Sequence, residues 1–279
     1  MPNSYLMCAP SYFNVEYVIN PWMKGNVHGA SIERAKQEWQ ALFNLISKRA
    51  TVELVPPQPG VPDMPFSANA GLVLDDRIVL SRFLYPERQG EEPYFEEWFC
   101  SHNFAVLKLP KNIPFEGAGD ALLDRNLPLL WMGYGHRSSR KALDYIADWL
   151  QIEVQLLKLS DERFYHLDTC FCPLSGGYVM YFPPAFDKKS QKSIIDRVPE
   201  KSRIVVEEAD ALNFACNAVN VDDAIIMNQA SDKLVKVLEV KGFRVMQTQL
   251  GEFMKAGGSS KCLTLRLNEP RLSPGLVKQ

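Results

Sequence analysis

Cys262 follows Gly257-Gly258-Ser259-Ser260-Lys261 and precedes the alternating run Leu263-Thr264-Leu265-Arg266-Leu267. A glycine-rich turn that ends in a thiol and enters a strand holds that side chain at the lip of a sheet, where a substrate can reach it. Upstream, His166-Leu167-Asp168 leads into Thr169-Cys170-Phe171, a second expected strand start, and offers an imidazole and a carboxylate. Comparable positions carry Asp63 and Asn69, and Glu116 and Asp120. Brought together, these residues form an anionic pocket with a nucleophile. Such a pocket suits a cation, and paired carboxylates match the planar fork of a guanidinium. The guanidinium carbon becomes a good electrophile when a nearby His protonates its leaving nitrogen. The expected chemistry is thiolate attack, loss of ammonia or an amine, and hydrolysis of a covalent thiouronium.

Residues so far apart in sequence meet only if the fold repeats, and the chain does repeat. A unit of strand, short turn and second strand runs over residues 69–81, 119–132, 167–182 and 216–227, and a last copy begins at Cys262. The unit starts (Gly71, Gly119, Leu167, Asn217 and Cys262) lie about 45 to 50 residues apart. Met7-Cys8-Ala9 supplies the strand that would complete the last copy and close a ring. Between hairpins the pattern predicts helices: Ser31 capping one through Arg49, Pro93 opening one through Phe104, Ser138 or Ser139 starting one to Leu150, and Ser231 starting one that Gly242 stops. Later strands are expected at 52–55, 105–107, 154–157, 204–206 and 243–248. Five ββαβ units in a closed array make a pseudo-symmetric α/β propeller, a single domain over residues 1–279, with equivalent strand starts converging on one axis. The alternative is a two-domain α/β protein with coincidental strand chemistry. Asn217 repeats the Asn69 position and reads as a residue that satisfies a backbone turn.

Composition narrows the field. The 279 residues are 46% hydrophobic and 23% charged, with a net charge of −2, so neither nucleic acid nor an anionic membrane is an expected partner. No run of apolar residues is long enough for a membrane span, and the N-terminus has no basic-then-apolar leader. The six cysteines are dispersed and read as reduced, which fits the cytoplasm. Cys170-x-Cys172 lacks a second pair, so no metal site is expected.

Phe115-Glu116-Gly117-Ala118-Gly119-Asp120-Ala121-Leu122, His166-Leu167-Asp168-Thr169 and Gly258-Ser259-Ser260-Lys261-Cys262 resemble the motifs of the guanidino-group modifying enzymes. That group includes arginine deiminases, dimethylarginine dimethylaminohydrolases, agmatine deiminases and amidinotransferases. The resemblance implies the five-bladed α/β propeller, or pentein, fold. It also implies that Cys262 is the nucleophile and His166 the general acid/base, with Glu116 as a catalytic acid. Glu116 and Asp168 would bind and polarise the guanidinium, while Asp120 and Asp63, polar residues at the unit starts, are further candidate substrate-binding carboxylates. Arg88 in Pro86-Glu87-Arg88 and Arg137 in Gly133-Tyr134-Gly135-His136-Arg137, both expected in loops, resemble positions that bind a substrate α-carboxylate. The family's acidic motif is commonly Glu-Gly-Gly-Asp, and this chain has one residue more between Glu116 and Asp120.

A second departure bears on the reaction. Asn69, in Pro62-Asp63-Met64-Pro65-Phe66-Ser67-Ala68-Asn69-Ala70-Gly71, stands where deiminases carry an acid. That stretch, with Met7-Cys8-Ala9-Pro10 and Tyr17-Val18-Ile19-Asn20-Pro21-Trp22-Met23, resembles the arginine dihydrolase domain of cyanobacterial bifunctional arginine-catabolic enzymes. The resemblance implies hydrolysis of free L-arginine to ornithine, ammonia and carbon dioxide, with no cofactor. An Asn amide could hold a neutral ureido intermediate for a second attack by Cys262. Two alternatives stand: a deiminase or dimethylarginine hydrolase that stops at citrulline, and a catalytically silent arginine-binding propeller. The expected partner is a small molecule, arginine or a close analogue, and a homo-oligomer stays open. The large ornithine-processing region of those relatives is not in this sequence, so the chain reads as a standalone enzyme or an excised domain.

Overall fold

A computed structural model describes residues 3–269 and 271–272. Four hairpins form where the repeat places them: Gly71–Leu74 with Arg77–Leu80, Ala121–Leu123 with Leu129–Tyr134, Phe171–Leu174 with Tyr178–Tyr181, and Val219–Val221 with Ala224–Met227, all antiparallel. The tightest turns place Asp75 and Asp222 at φ 58° and 53°, a left-handed conformation that Asp tolerates in two-residue hairpin loops. Each hairpin is followed by a helix and a third strand parallel to its second: Ala105–Lys108, Glu153–Lys158, Arg203–Val205 and Arg244–Gln247. A parallel neighbour requires such a crossover.

The two ends of the chain build the fifth unit. Leu265–Arg266 pairs antiparallel with Ser4–Cys8, which pairs parallel with Thr51–Val55. The ring closes as Met7-Cys8-Ala9 suggested. The last strand is shorter than the alternation of 263–267 predicts. Leu263 and Thr264 are held back in the turn around Cys262, where they donate to the carbonyls of Ser259 (3.2 Å) and Lys261 (3.0 Å). Five three-stranded sheets result, and the first strands of all five line one axial hollow of about 600 Å³. This is the closed α/β propeller.

The helices clothe the outside. Ile32–Ser47 is capped by Ser31 Oγ and buries Ala35, Trp39, Leu42 and Ile46 on one stripe. Asp232–Val240 begins at a Ser231 cap and ends before Gly242, at φ 89°. Ala142–Leu150 differs from expectation, because neither Ser138 nor Ser139 caps it. Ser138 turns inward to the site instead. The helix Lys188–Arg197 was not legible in the sequence, since it buries only Ser190 and Ile194 and shows little apolar period. Trp131, Phe115 and Phe171 are fully buried between sheets and helices. Truncating any of them to Ala would cost about 3–5 kcal/mol. No described helix is long and apolar enough to cross a membrane.

Candidate active site

Three short 3₁₀ turns, Ser67–Ala70, Gly117–Gly119 and Leu167–Thr169, precede the first strands of the first three units. They bring Asn69, Glu116, Asp120, His166 and Asp168 to one end of the axis. His166 and Asp168 therefore sit in a turn, and the strand begins only at Phe171. The turn at 259–264 brings Cys262 to the same end.

Cys262 is buried, 2% exposed. Its Sγ donates to Asp168 Oδ2 at 3.4 Å and accepts from Asn217 Nδ2 at 3.1 Å. Burial, reinforced by the Asp168 charge, pushes the thiol well above its ordinary range. Burial also raises Asp168 to about 7, against the lowering pull of Lys261 and of bonds to Cys262 and Asn217. The thiol thus rests against a buried carboxylate.

Glu116 lies at the centre of a second cluster. Its Oε2 is 2.7 Å from His166 Nε2 and accepts from Arg137 Nη1 at 3.0 Å, while Oε1 accepts from the Leu84 N–H at 3.2 Å. Burial alone would raise this carboxyl, but Arg137 and His166 outweigh it and hold it below the usual range. Ionised Glu116 thereby fixes the imidazole's orientation. The extra residue in the motif has not moved Glu116 away from His166. Arg137 is sandwiched between the rings of Tyr85 (4.7 Å) and Tyr165 (4.6 Å), and its Nη2 donates to the Ile19 carbonyl at 2.8 Å.

Arg88 sits in a short helix, Pro86–Gln89, and not in a loop. Its guanidinium makes a bidentate pair with Glu91 at 2.7 and 2.8 Å. Nη1 donates to Asn69 Oδ1 at 2.9 Å, and Asn69 Nδ2 donates to the Glu116 carbonyl at 3.0 Å. Asn69 therefore links the arginine of the first unit to the acid of the second. Asp63 Oδ2 accepts from Tyr17 Oη at 3.0 Å, and burial raises the Asp63 pKa.

Asp120 has a different place from the one expected. Its Oδ2 accepts from Ser138 Oγ (2.6 Å) and its Oδ1 from the Leu167 N–H (3.0 Å), so both oxygens brace the loop that carries His166. It does not line the hollow that Cys262 shares with Asn69 and Arg88. Gly119 is a packing necessity, since a Cβ there would fall 2.3 Å from Asn69 Nδ2 and 3.3 Å from the His166 ring.

Asp63, Asn69, Arg88, Arg137, Tyr165 and Cys262 share a hollow of about 250 Å³, roofed by Ile19, Asn20 and Met23. Asp168 adjoins it through the Cys262 sulfur. Two fully buried carboxylate oxygens here, Asp63 Oδ1 and Asp168 Oδ1, accept no hydrogen bond among the described residues. Buried acceptors of this kind call for donors, and a guanidinium or ammonium supplies them. No group of three or more His, Cys, Asp or Glu among the described residues is arranged to hold a metal. The residues missed as parts of the site were Asn20, Tyr85, Tyr165 and Asn217. Asn20 caps its own turn and donates to the Ala256 carbonyl at 3.0 Å. Only its place in the Tyr17–Met23 motif signalled it. The two tyrosines carry no spacing cue.

A family model described as N,N dimethylarginine dimethylhydrolase, eukaryotic, matches residues 10–268. The bifunctional arginine dihydrolase/ornithine cyclodeaminase AgrE of Nostoc sp. is 58% identical over 95% of this chain, which spans 38% of the length of AgrE. The dimethylarginine dimethylaminohydrolase of Mycobacterium tuberculosis is 35% identical over 95% of this chain and 85% of its own length. The crystal structure of the N-terminal domain of cyanobacterial ArgZ, an arginine dihydrolase in a Cys-to-Ser variant bound to substrate, matches with a TM-score of 0.96. It is 58% identical and covers 97% of this chain and all of that domain. The same domain has been solved with product and, in an Asn-to-Ser variant, covalently bound to a reaction intermediate. With a propeller fold and relatives that agree, this chain belongs to the dimethylarginine dimethylaminohydrolase-like family of guanidino-group modifying enzymes.

Proposed function

We propose that this chain acts as one catalytic propeller that hydrolyses the guanidino group of free L-arginine twice, through covalent intermediates on Cys262. The observation that carries this reading is the pair of buried oxygens on Asp63 and Asp168 that accept no hydrogen bond among the described residues, near the buried Cys262 thiol. They match the donors of a guanidinium. Two of the relatives named above are described as arginine dihydrolases, and a variant of one was solved covalently bound to a reaction intermediate.

In the first half-reaction Cys262 Sγ bonds to the guanidinium carbon as its proton passes to Asp168 Oδ2, 3.4 Å away, and Asp168 returns that proton to the sulfur when the thiolate is later expelled. His166 protonates a terminal nitrogen, the C–N bond breaks, and ammonia leaves a thiouronium. His166 then takes a proton from water, whose oxygen attacks the same carbon and expels the thiolate, giving a ureido product. A second attack on that carbon expels a second ammonia, and water releases a carbamate that decomposes to ornithine and carbon dioxide. Each arginine thus consumes two waters and yields one ornithine, two ammonia and one carbon dioxide. Asp168 and Asp63 would bind the cation. Asn69, held between Arg88 and the Glu116 carbonyl, would meet the neutral ureido group as donor or acceptor in place of a repelling carboxylate. Arg137 and Arg88 would face the α-carboxylate with their remaining N–H groups.

The test is intact-mass spectrometry of enzyme quenched during arginine turnover. A Cys262-linked adduct is expected, and none in Cys262→Ser. Turnover that persists in Cys262→Ser contradicts the reading.

A further inference from the structure

Asn217 takes no part in the steps above, yet it is fully buried against the nucleophile. It holds in the fourth unit the place of Asn69 in the first, two residues ahead of the first strand. Each donates its backbone N–H to a carbonyl three residues back, Phe214 and Phe66, at 3.0 Å. The side chains then diverge. Asn217 Oδ1 accepts from the N–H of Lys261 (3.0 Å) and of Cys262 (3.1 Å). Those two donors determine which end of the amide is oxygen. The Nδ2 end must therefore face the Asp168 carbonyl (3.1 Å) and Cys262 Sγ (3.1 Å).

A neutral thiol is a weak acceptor and gives a buried N–H little in return. A thiolate makes a charge-assisted bond about twice as strong as a neutral one. The groups facing this sulfur are few. Asp168 opposes ionisation, while Lys261 and the backbone of Ser259 favour it. Tyr165, Arg88, Arg137 and Asp63 share the hollow.

We propose that Asn217 is a further catalytic residue, whose Nδ2–H stabilises the Cys262 thiolate while its Oδ1 locks the nucleophile's turn in place. The amide acts as a clamp: two backbone N–H groups grip one end so that the other points at the reacting sulfur. The proposal rests on Cys262 being the nucleophile.

The experiment is a pH titration of the thiolate's ultraviolet absorbance, taken as the difference from Cys262→Ser in the same background. Asn217→Asp keeps the acceptor for both backbone N–H groups and removes the donor to sulfur; Asn217→Ala removes both. In each, the midpoint is expected to rise by about one to two pH units. The kcat for arginine should fall about 10- to 100-fold with KM changed less. In the unmutated protein, the Asn217 side-chain amide proton resonances should move with the Cys262 titration and stay still in Cys262→Ser. A brace without an electronic role would lower melting temperature and leave the midpoint in place. An unmoved midpoint in folded variants, or amide resonances indifferent to the thiol's ionisation, overturns the proposal. Failure of wild type to turn over arginine would instead remove the functional reading and leave the thiol titration to be judged separately.

Discussion

Asp168 Oδ2 stands 3.4 Å from Cys262 Sγ, across 94 residues of chain. The third and fifth units present equivalent pre-strand turns to one axis, and the contact follows from that equivalence. Asp168→Asn keeps the shape and deletes the charge that would grip a guanidinium. Its kcat/KM for arginine should fall at least about 100-fold, since a lost charge-assisted contact in a dry site is worth several kcal/mol. Circular dichroism and the melting temperature report whether the fold persists. Near-normal kinetics in a folded variant would remove Asp168 from the reaction.

The same residue predicts a pH dependence of substrate binding. Burial raises folded Asp168 from 3.8 to about 7, so its penalty on the fold accumulates as pH rises between those values. A bound guanidinium compensates the charge and removes that penalty. In Cys262→Ser, expected to bind arginine without turning it over, the rise in melting temperature given by saturating arginine should grow as pH increases across this window. A rise independent of pH contradicts the assignment.

Glu116 shows the opposite sign. Its folded pKa lies below the ordinary 4.5, so its contribution to stability is complete above that value and is lost as pH falls further. Glu116→Gln leaves Arg137 buried without its anion, at a cost of about 3–5 kcal/mol. Thermal melts of both proteins should therefore differ at neutral pH and converge in acid. Equal melting temperatures at neutral pH would show that the cluster around Glu116 contributes nothing to the fold.

Gly119→Ala tests how closely the first and third units approach. The new Cβ would lie 2.3 Å from Asn69 Nδ2, forcing Asn69 away from Glu116 and Arg88. Displacement of about 1 Å at a reacting centre can cost on the order of 100-fold, and kcat/KM should drop by about that much. Steady-state kinetics on the folded variant decide it.

Much of this was legible because the repeat is local chemistry. The short turns within the repeat marked the hairpins, Ser31 and Ser231 marked helix starts, and the thiol followed a glycine-rich turn. The ring closure by Ser4–Cys8 could be anticipated because the last copy lacked a partner strand. What stayed hidden depends on contacts between units. Asp120 looks in sequence like a pocket acid, yet Ser138 and the Leu167 N–H take both its oxygens. Ser138 resembles a helix cap for the same reason, since its hydroxyl is committed 18 residues back. Asn217 looks like a turn residue, and only the closed ring shows its amide meeting the Cys262 sulfur. The Lys188–Arg197 helix buries too little apolar surface to announce itself.

Whether one thiol carries out both hydrolyses is decided by a product-resolved assay. Purified protein is given arginine, and ornithine, citrulline and ammonia are quantified together over time. Ornithine with two ammonia per arginine consumed, and no lasting citrulline, is the predicted result. Citrulline accumulating with one ammonia and no ornithine would contradict it.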